Sequence, residues 1–197
     1  MDRDRIEAVE ESLRKVVPRA RRIRTPPAGV NRNETQIISL NGQEHAVNSP
    51  RTLMGHRLEI EMEGAGFLDA SLVSEGTLIA LGILALVHSE SCPKVVLIDD
   101  LDHSLHPSAY EALVRCLREI QNSRPELQLV CTTHSPYLLD YFEAEEIRVL
   151  SLDAAGHTQA CKLEAHPEWS KAHGALSTGE FWSTVGEHWV ANGSGSG

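Results

Sequence analysis

Cysteine is sparse and scattered in this sequence. Cys92, Cys116, Cys131 and Cys161 never form a CxxC pair, which excludes a zinc ribbon or a thioredoxin-type motif. Three of the four lie in or beside apolar runs, so they read as small buried hydrophobes in a reducing compartment. HExxH and GxSxG are also missing, which leaves a zinc peptidase or a Ser-His-Asp hydrolase without sequence support. Positive charge is in deficit. The 18 Lys and Arg are outnumbered by 28 Asp and Glu, a formal net charge of −10, whereas chains that grip nucleic acid unaided cluster cations against phosphates. Any nucleic-acid role is therefore expected to be local or to belong to a partner. The one basic stretch, "RKVVPRARRIR" from Arg14 to Arg24, reads most plainly as a solvated surface. Long apolar runs are lacking too. "LIALGILALV" is broken by Gly82 and ends at His88, so no membrane span is expected. No signal peptide is legible at the start, and the expected location is cytoplasmic.

What remains is the composition of an ordinary globular domain, with 197 residues to build a core. From Arg5 to Val17, the apolar residues Ile6, Val9, Leu13 and Val16 recur at helical steps and Pro18 stops the run. "RTPPAGVNRNE" reads as a loop, and "TQIISL", "EHAV" and "RLEIEM" as short strands of a small antiparallel layer, separated by Asn-Gly and Pro50. The character changes at Ser71. Ser74 is placed to N-cap a helix that is apolar on most sides, and "KVVLID" and "LQLVCT" are unalternating runs typical of strands covered on both faces. Pro107 suits the first turn of a helix striped by Tyr110, Leu113, Val114, Leu117 and Ile120. "EIRVLSL" and "HTQACKLE" joined by "DAAG" read as a hairpin, and "GEFWSTVGEHW" as a terminal helix.

The expectation is an α/β fold in a single domain over residues 1–190. An N-terminal helix and antiparallel strands occupy 1–70, a core with central parallel strands 71–140, and a hairpin plus helix 141–190. Residues 191–197 read as a linker or tag. Ligands in such sheets bind beyond the carboxyl ends of the strands.

Three short motifs stand in order along that core. "SEGT", Ser74, Glu75, Gly76 and Thr77, opens a helix whose N–H groups suit a phosphate, though a plain Ser cap is the simpler reading. "VVLIDD" ends a strand in Asp99 and Asp100, a pair that can hold Mg²⁺ and orient water, or cap a solvated loop. "TTHSP" ends the next strand with His134, which can touch a phosphate or serve as a structural histidine. A rival reading takes Asp99, Asp100, Asp102, His103 and His106 as ligands of a hydrolytic metal. Adjacent Asp102 and His103 would leave the loop in opposite directions, which speaks against it.

Together the three motifs resemble the second half of an ABC-type ATPase head, in the bacterial branch that includes OLD-like and defence-associated AAA-family ATPases, and more remotely SMC heads. "LVSEGT" matches the Ser-x-Gly signature at Ser74 and Gly76, Val95 to Asp100 match Walker B, "DHSLHP" echoes the D-loop at Ser104, Leu105 and His106, and His134 matches the switch histidine. The resemblance implies ATP and Mg²⁺ bound between two facing heads of a homodimer. Asp99 would hold the metal, Asp100 would stand at the general base, and His134 would sense the γ-phosphate. Ser74 to Thr77 would reach the nucleotide of the opposite head. "LSTGE", Leu176 to Glu180, looks more like a signature in its letters. It follows the switch histidine rather than preceding Walker B, and so is assigned to capping the terminal helix.

The sequence departs from that pattern twice. No GxxxxGK[ST] occurs, so the phosphate cradle is expected from a Walker A-bearing lobe of the same or another chain, and the isolated chain is expected to be inactive. The usual catalytic glutamate is replaced by Asp100, which withdraws the carboxylate by about 1.5 Å; misplacement on that scale costs rate. An alternative register lets Asp102 assist. The alternative function is a non-catalytic dimerisation domain that holds an effector such as a nuclease.

Overall fold

The computed structural model describes residues 3–40 and 43–193. Helix α1 (Arg3–Val16) buries Val9, Leu13 and Val16 along the expected stripe. Ser12 is buried with them and meets the His88 imidazole at 2.9 Å. Strands β1 (Ala20–Arg24), β4 (Glu59–Met62) and β5 (Gly66–Asp69) form an antiparallel sheet in the order β1-β4-β5. Between β1 and β4 the chain leaves as a long ribbon, β2 (Pro27–Leu40) paired with β3 (Gln43–His56) over 14 residues each.

That ribbon corrects the expected loop at "RTPPAGVNRNE". Pro27 opens β2 and Pro50 lies within β3, positions a two-stranded ribbon tolerates because each strand has a free edge. Continuous cross-strand pairing thus overrides the local turn signals. Thr35 donates to Asn48 at 2.8 Å and Thr52 to Asn31 at 2.9 Å. At the base, Arg57 N–H donates to the Pro26 carbonyl at 2.9 Å. The Asn41-Gly42 turn lies outside the described residues.

Helix α2 (Glu75–Val87) starts at Ser74 as expected and buries Ala80, Leu81, Leu84 and Val87. After β6 (Val95–Ile98), a 3₁₀ turn at Pro107–Ala109 leads into α3 (Tyr110–Ser123). Its buried face holds the whole expected stripe together with Cys116. β7 (Gln128–Cys131) pairs with β6 in parallel, Leu97 beside Val130. The crossover through α3 is the unit that a parallel pair requires.

The expected two-sided cover of these strands is half present. Val96 is buried, and Ile98, Leu129 and Cys131 pack against the core. On the opposite face Val95, Leu97 and Val130 are 49%, 76% and 54% exposed. The unalternating sequence suits two covered faces, but this chain covers one.

Beyond α4 (Pro136–Leu139), a second core forms around Ala144, Val149, Leu163, Phe181 and Val190. It is framed by the hairpin of β8 (Arg148–Leu152) and β9 (Thr158–Lys162), by α5 (Trp169–Ala172), and by the terminal helices. The single terminal helix expected from "GEFWSTVGEHW" is two, α6 (Thr178–Val185) and α7 (His188–Gly193), because Gly186 turns the chain at φ 62°. Residues 191–193 continue α7, and 194–197 lie outside the described residues. Ser177 and Glu180 form a capping box, so "LSTGE" caps a helix as expected.

Half of the basic stretch is ion-paired: Lys15 with Glu119 at 3.0 Å, Arg21 with Glu63 at 2.7 Å, and Arg24 with Glu59 at 2.6 Å. Two of the cysteines are buried and two half-buried, all unpaired. Burial pushes the Cys116 and Cys131 thiols up, keeping them protonated and unreactive.

His88 supplies a pH test. Burial pushes its imidazole below the ordinary value of 6.5; Arg124 and Lys15 add to this and Glu11 opposes it. A base depressed in the folded state takes up its proton preferentially when unfolded, so stability is full above the unfolded value and declines as pH falls below it. The urea midpoint is expected to drop between about pH 7.5 and about pH 5.5, and the slope to flatten in His88→Gln.

Candidate functional site

The acidic turn grows out of β6. Once the strand ends at Ile98, Asp99 and Asp100 are carried into solvent, and the backbone at Asp100 takes a left-handed conformation, φ 49°. Asp and Asn occupy that region more readily than other side chains that carry a Cβ. The turn thus places at Asp100 one of the residue types that enter the left-handed region most readily. The Asp100 carboxylate forms no hydrogen bond or ion pair among the described residues. It borders an open depression of about 380 Å³ lined by Ile79, Ile83, Ile98, Asp99, Asp100 and His103.

Thr132 and Thr133 tie this turn to the end of β7. The Thr132 hydroxyl donates to Asp99 Oδ1 and accepts the Asp100 N–H at 2.8 Å. The Thr133 hydroxyl donates to Asp102 Oδ1 and accepts the Ser135 N–H at 3.0 Å. His134 lies between Thr133 and Ser135 in sequence and is exposed. Asp99, Asp100 and the His134 segment thus share one rim, at the carboxyl ends of two parallel strands. The sequence signal for the threonines was the Thr-Thr pair itself, but nothing in spacing revealed which oxygens they would meet.

The start of α2 docks on the loop after Asp102. Ser104 Oγ donates to Glu75 Oε2 at 2.7 Å, and His103 Nε2 stands 3.9 Å from the other Glu75 oxygen. Gly76 is buried beneath the Ser104 carbonyl so closely that a Cβ would overlap it. Ser104 is itself left-handed, φ 56°. Of the four "SEGT" residues, Ser74 and Glu75 are exposed, while Thr77 is buried with its hydroxyl 2.8 Å from that of Ser74. Ser74 accepts the Thr77 N–H at 3.4 Å, so it also serves as the helix cap. Leu105 is buried in the core, and His106 caps the 3₁₀ turn, its Nδ1 accepting the Ser108 N–H at 3.2 Å.

The five residues of the rival metal reading do not converge. His103 faces Glu75, His106 caps a turn and Asp102 is held by Thr133. Among the described residues no group of three or more His, Cys, Asp or Glu could hold a metal ion. The donors at the acidic turn are oxygen only, a set that fits Mg²⁺, which binds through one or two carboxylates while keeping water and phosphate ligands.

This α/β architecture is that of an ABC/AAA-type ATPase-related domain, and its solved likenesses include SMC heads. One is described as "Structural biochemistry of ATP-driven dimerization and DNA stimulated activation of SMC ATPases". It superposes with a TM-score of 0.56 at 13% identity, covering 94% of this chain and 91% of that one. Another, an SMC head bound to the C-terminal winged-helix domain of ScpA, gives a TM-score of 0.50 at 14% identity, covering 81% and 44%. The chain belongs to the family described as "AAA domain, putative AbiEii toxin, Type IV TA system", whose family model matches residues 2–140. Among curated proteins it resembles the "Retron Vc95 probable ATPase" of Vibrio cholerae serotype O1 biovar El Tor, 25% identical over 144 residues, 61% of this chain. It spans 27% of that relative's length. Among the described residues no helix is long and apolar enough to cross a membrane.

Proposed function

We propose that the chain supplies one half of an ATP-hydrolysing head, contributing the signature, Walker B, D-loop and switch histidine to a site completed by a Walker A-bearing segment of the same or another chain. The observation that carries this is the shared rim, where Asp99, Asp100 and the His134 segment meet at the carboxyl ends of two parallel strands. In this reading residues 71–140 are the working core of the single domain. Asp99 would hold Mg²⁺, which when bound with nucleotide neutralises phosphate charge. Asp100, its carboxylate open to solvent, would accept the proton of an attacking water. His134 would donate to the γ-phosphate. The exposed Ser74 and Glu75 and the exposed Ser104 and His106 form one face, held together from behind by the buried Gly76, Thr77 and Leu105, because Glu75 and Gly76 lock onto Ser104. That continuous face would meet the second head of a dimer, each signature reaching the other head's nucleotide.

The exposed face of β6 and β7 supports completion by another lobe, since parallel strands are ordinarily covered on both faces. By likeness to the retron ATPase, the switch would serve phage defence, and any nuclease or DNA would be engaged through partners. The second reading, a non-catalytic dimerisation domain holding an effector, is favoured by the lack of GxxxxGK[ST] in the chain. One assay separates the two. Phosphate release is measured after the chain is combined with a Walker A-bearing lobe. The wild-type pair should hydrolyse ATP, Asp99→Ala should reduce kcat by at least about 10²-fold, and Asp100→Asn, which keeps a residue at ease in the left-handed turn, should do likewise. Equal rates in the wild type and Asp99→Ala would sink the ATPase reading.

A further inference from the structure

One residue of β7's continuation touches four consecutive residues at the end of β6. Thr132 N–H donates to the Ile98 carbonyl at 2.9 Å, its hydroxyl donates to Asp99 and accepts the Asp100 N–H at 2.8 Å, and its carbonyl accepts the Leu101 N–H at 2.9 Å. The Thr132 N–H bond continues the parallel ladder, whereas the Thr132 carbonyl accepts the Leu101 N–H in place of the Asp100 N–H that a regular rung would use, and the hydroxyl takes up the Asp100 amide instead. The two hydroxyl bonds are specific to the side chain. A hydroxyl offers one proton and two acceptor sites, and Thr132 directs the proton at one carboxylate and an acceptor site at the next residue's amide.

That amide belongs to Asp100, in its left-handed conformation. Such a backbone persists where its surroundings over-determine it, and here the Thr132 hydroxyl provides the bond that does so. The same oxygen donates to the Asp99 carboxylate, so one carboxylate and the backbone that carries the next are held from one atom. Thr133 repeats the device one residue on, holding Asp102 while accepting the Ser135 N–H. The Thr133 hydroxyl spans His134 by accepting the Ser135 N–H while it donates to Asp102, so the histidine segment and the acidic turn are tied as one unit.

We propose that Thr132 and Thr133 are positioning residues: Thr132 sets the Asp99–Asp100 pair for nucleotide hydrolysis, and Thr133 anchors the loop that begins at Asp102 to the switch-histidine segment. The proposal rests on the ATPase reading above, and its test has one arm independent of that reading. Thr132→Val keeps the branched shape and both main-chain bonds while removing both hydroxyl bonds. Thr132→Ser restores the hydroxyl.

In this chain alone, amide hydrogen exchange at Asp100 is expected to accelerate about tenfold or more in Thr132→Val, with the Leu101 amide unchanged and Thr132→Ser near wild type. In the chain combined with a Walker A-bearing lobe, Thr132→Val should lower kcat by about 10- to 100-fold while changing KM by less than about threefold, and Thr132→Ser should recover most of the rate. Thr133→Val should accelerate exchange at the Ser135 amide by about tenfold. Wild-type exchange and kcat in Thr132→Val would overturn the proposal, as would Thr132→Ser behaving like Thr132→Val, because packing rather than the hydroxyl would then be responsible. If the wild-type pair hydrolyses no ATP, the nucleotide reading falls and takes the catalytic half of the proposal with it. The exchange comparison then decides the hydroxyl latch by itself.

Discussion

Replacing Leu97 with aspartate is expected to leave the isolated chain as stable as the wild type while abolishing its ability to complement a Walker A-bearing lobe. The two halves of that result come from one number: the Leu97 side chain is 76% exposed. A side chain already in water has little hydrophobic burial to lose, and surface substitutions of this kind usually shift stability by no more than about 0.5 kcal/mol. Its neighbours Val95 and Val130 are about half exposed on the same face. If a second lobe covers that face, the carboxylate would be buried in an apolar contact without a partner. Such a group costs several kcal/mol, so binding should weaken by more than about 10²-fold. Urea melts of the single chain and titration calorimetry against the lobe give the two readouts. Stability unchanged and affinity unchanged would remove β6–β7 as the docking face. In isolation the substitution should also reduce self-association, since it interrupts an exposed apolar strand pair.

Gly76→Ala is expected to be the most damaging single-methyl change near the rim. A Cβ at that position overlaps the Ser104 carbonyl and crowds the Leu105 backbone. These are main-chain atoms, so no side-chain rotation relieves the clash, and either α2 or the loop must move. Overpacking of this kind costs about 1 to 3 kcal/mol. The displaced loop would also loosen the Ser104–Glu75 hydrogen bond. The urea midpoint should fall, and ATP hydrolysis in the reconstituted head should fall further than stability alone explains. Ser104→Ala, which removes the hydrogen bond without the clash, should show the smaller effect on both. If Gly76→Ala matches the wild-type midpoint, the tight helix–loop contact does not form.

Much of this architecture was legible because its signals are local. The α3 stripe, the Ser74 cap, the Pro107 turn and the β8–β9 hairpin each follow from periodicity or from a residue with a fixed conformational preference. The β2–β3 ribbon was partly misread, since Pro27, Gly29 and Asn31 carry turn signals that pairing with His56, Met54 and Thr52 overrides. The break at Gly186 was missed because a glycine inside a helical pattern is only a weak stop. At the site, the order of motifs led to Asp99, Asp100 and His134, but hydroxyl partnerships are set by three-dimensional approach. Neither the role of Thr132 nor the burial of Thr77 could be read from spacing.

The ribbon also has a mechanical consequence. Strands of 14 residues reach roughly 45 Å at about 3.3 Å per residue, and among the described residues β2 and β3 share a sheet only with each other. Its base is fixed at Thr25, Pro26, His56 and Arg57, next to the sheet of β1 and β4. A lever of that length converts a tilt of about 10° at its root into a displacement of about 8 Å at its far end. Any tilt at the ribbon's root would thus be enlarged along its length.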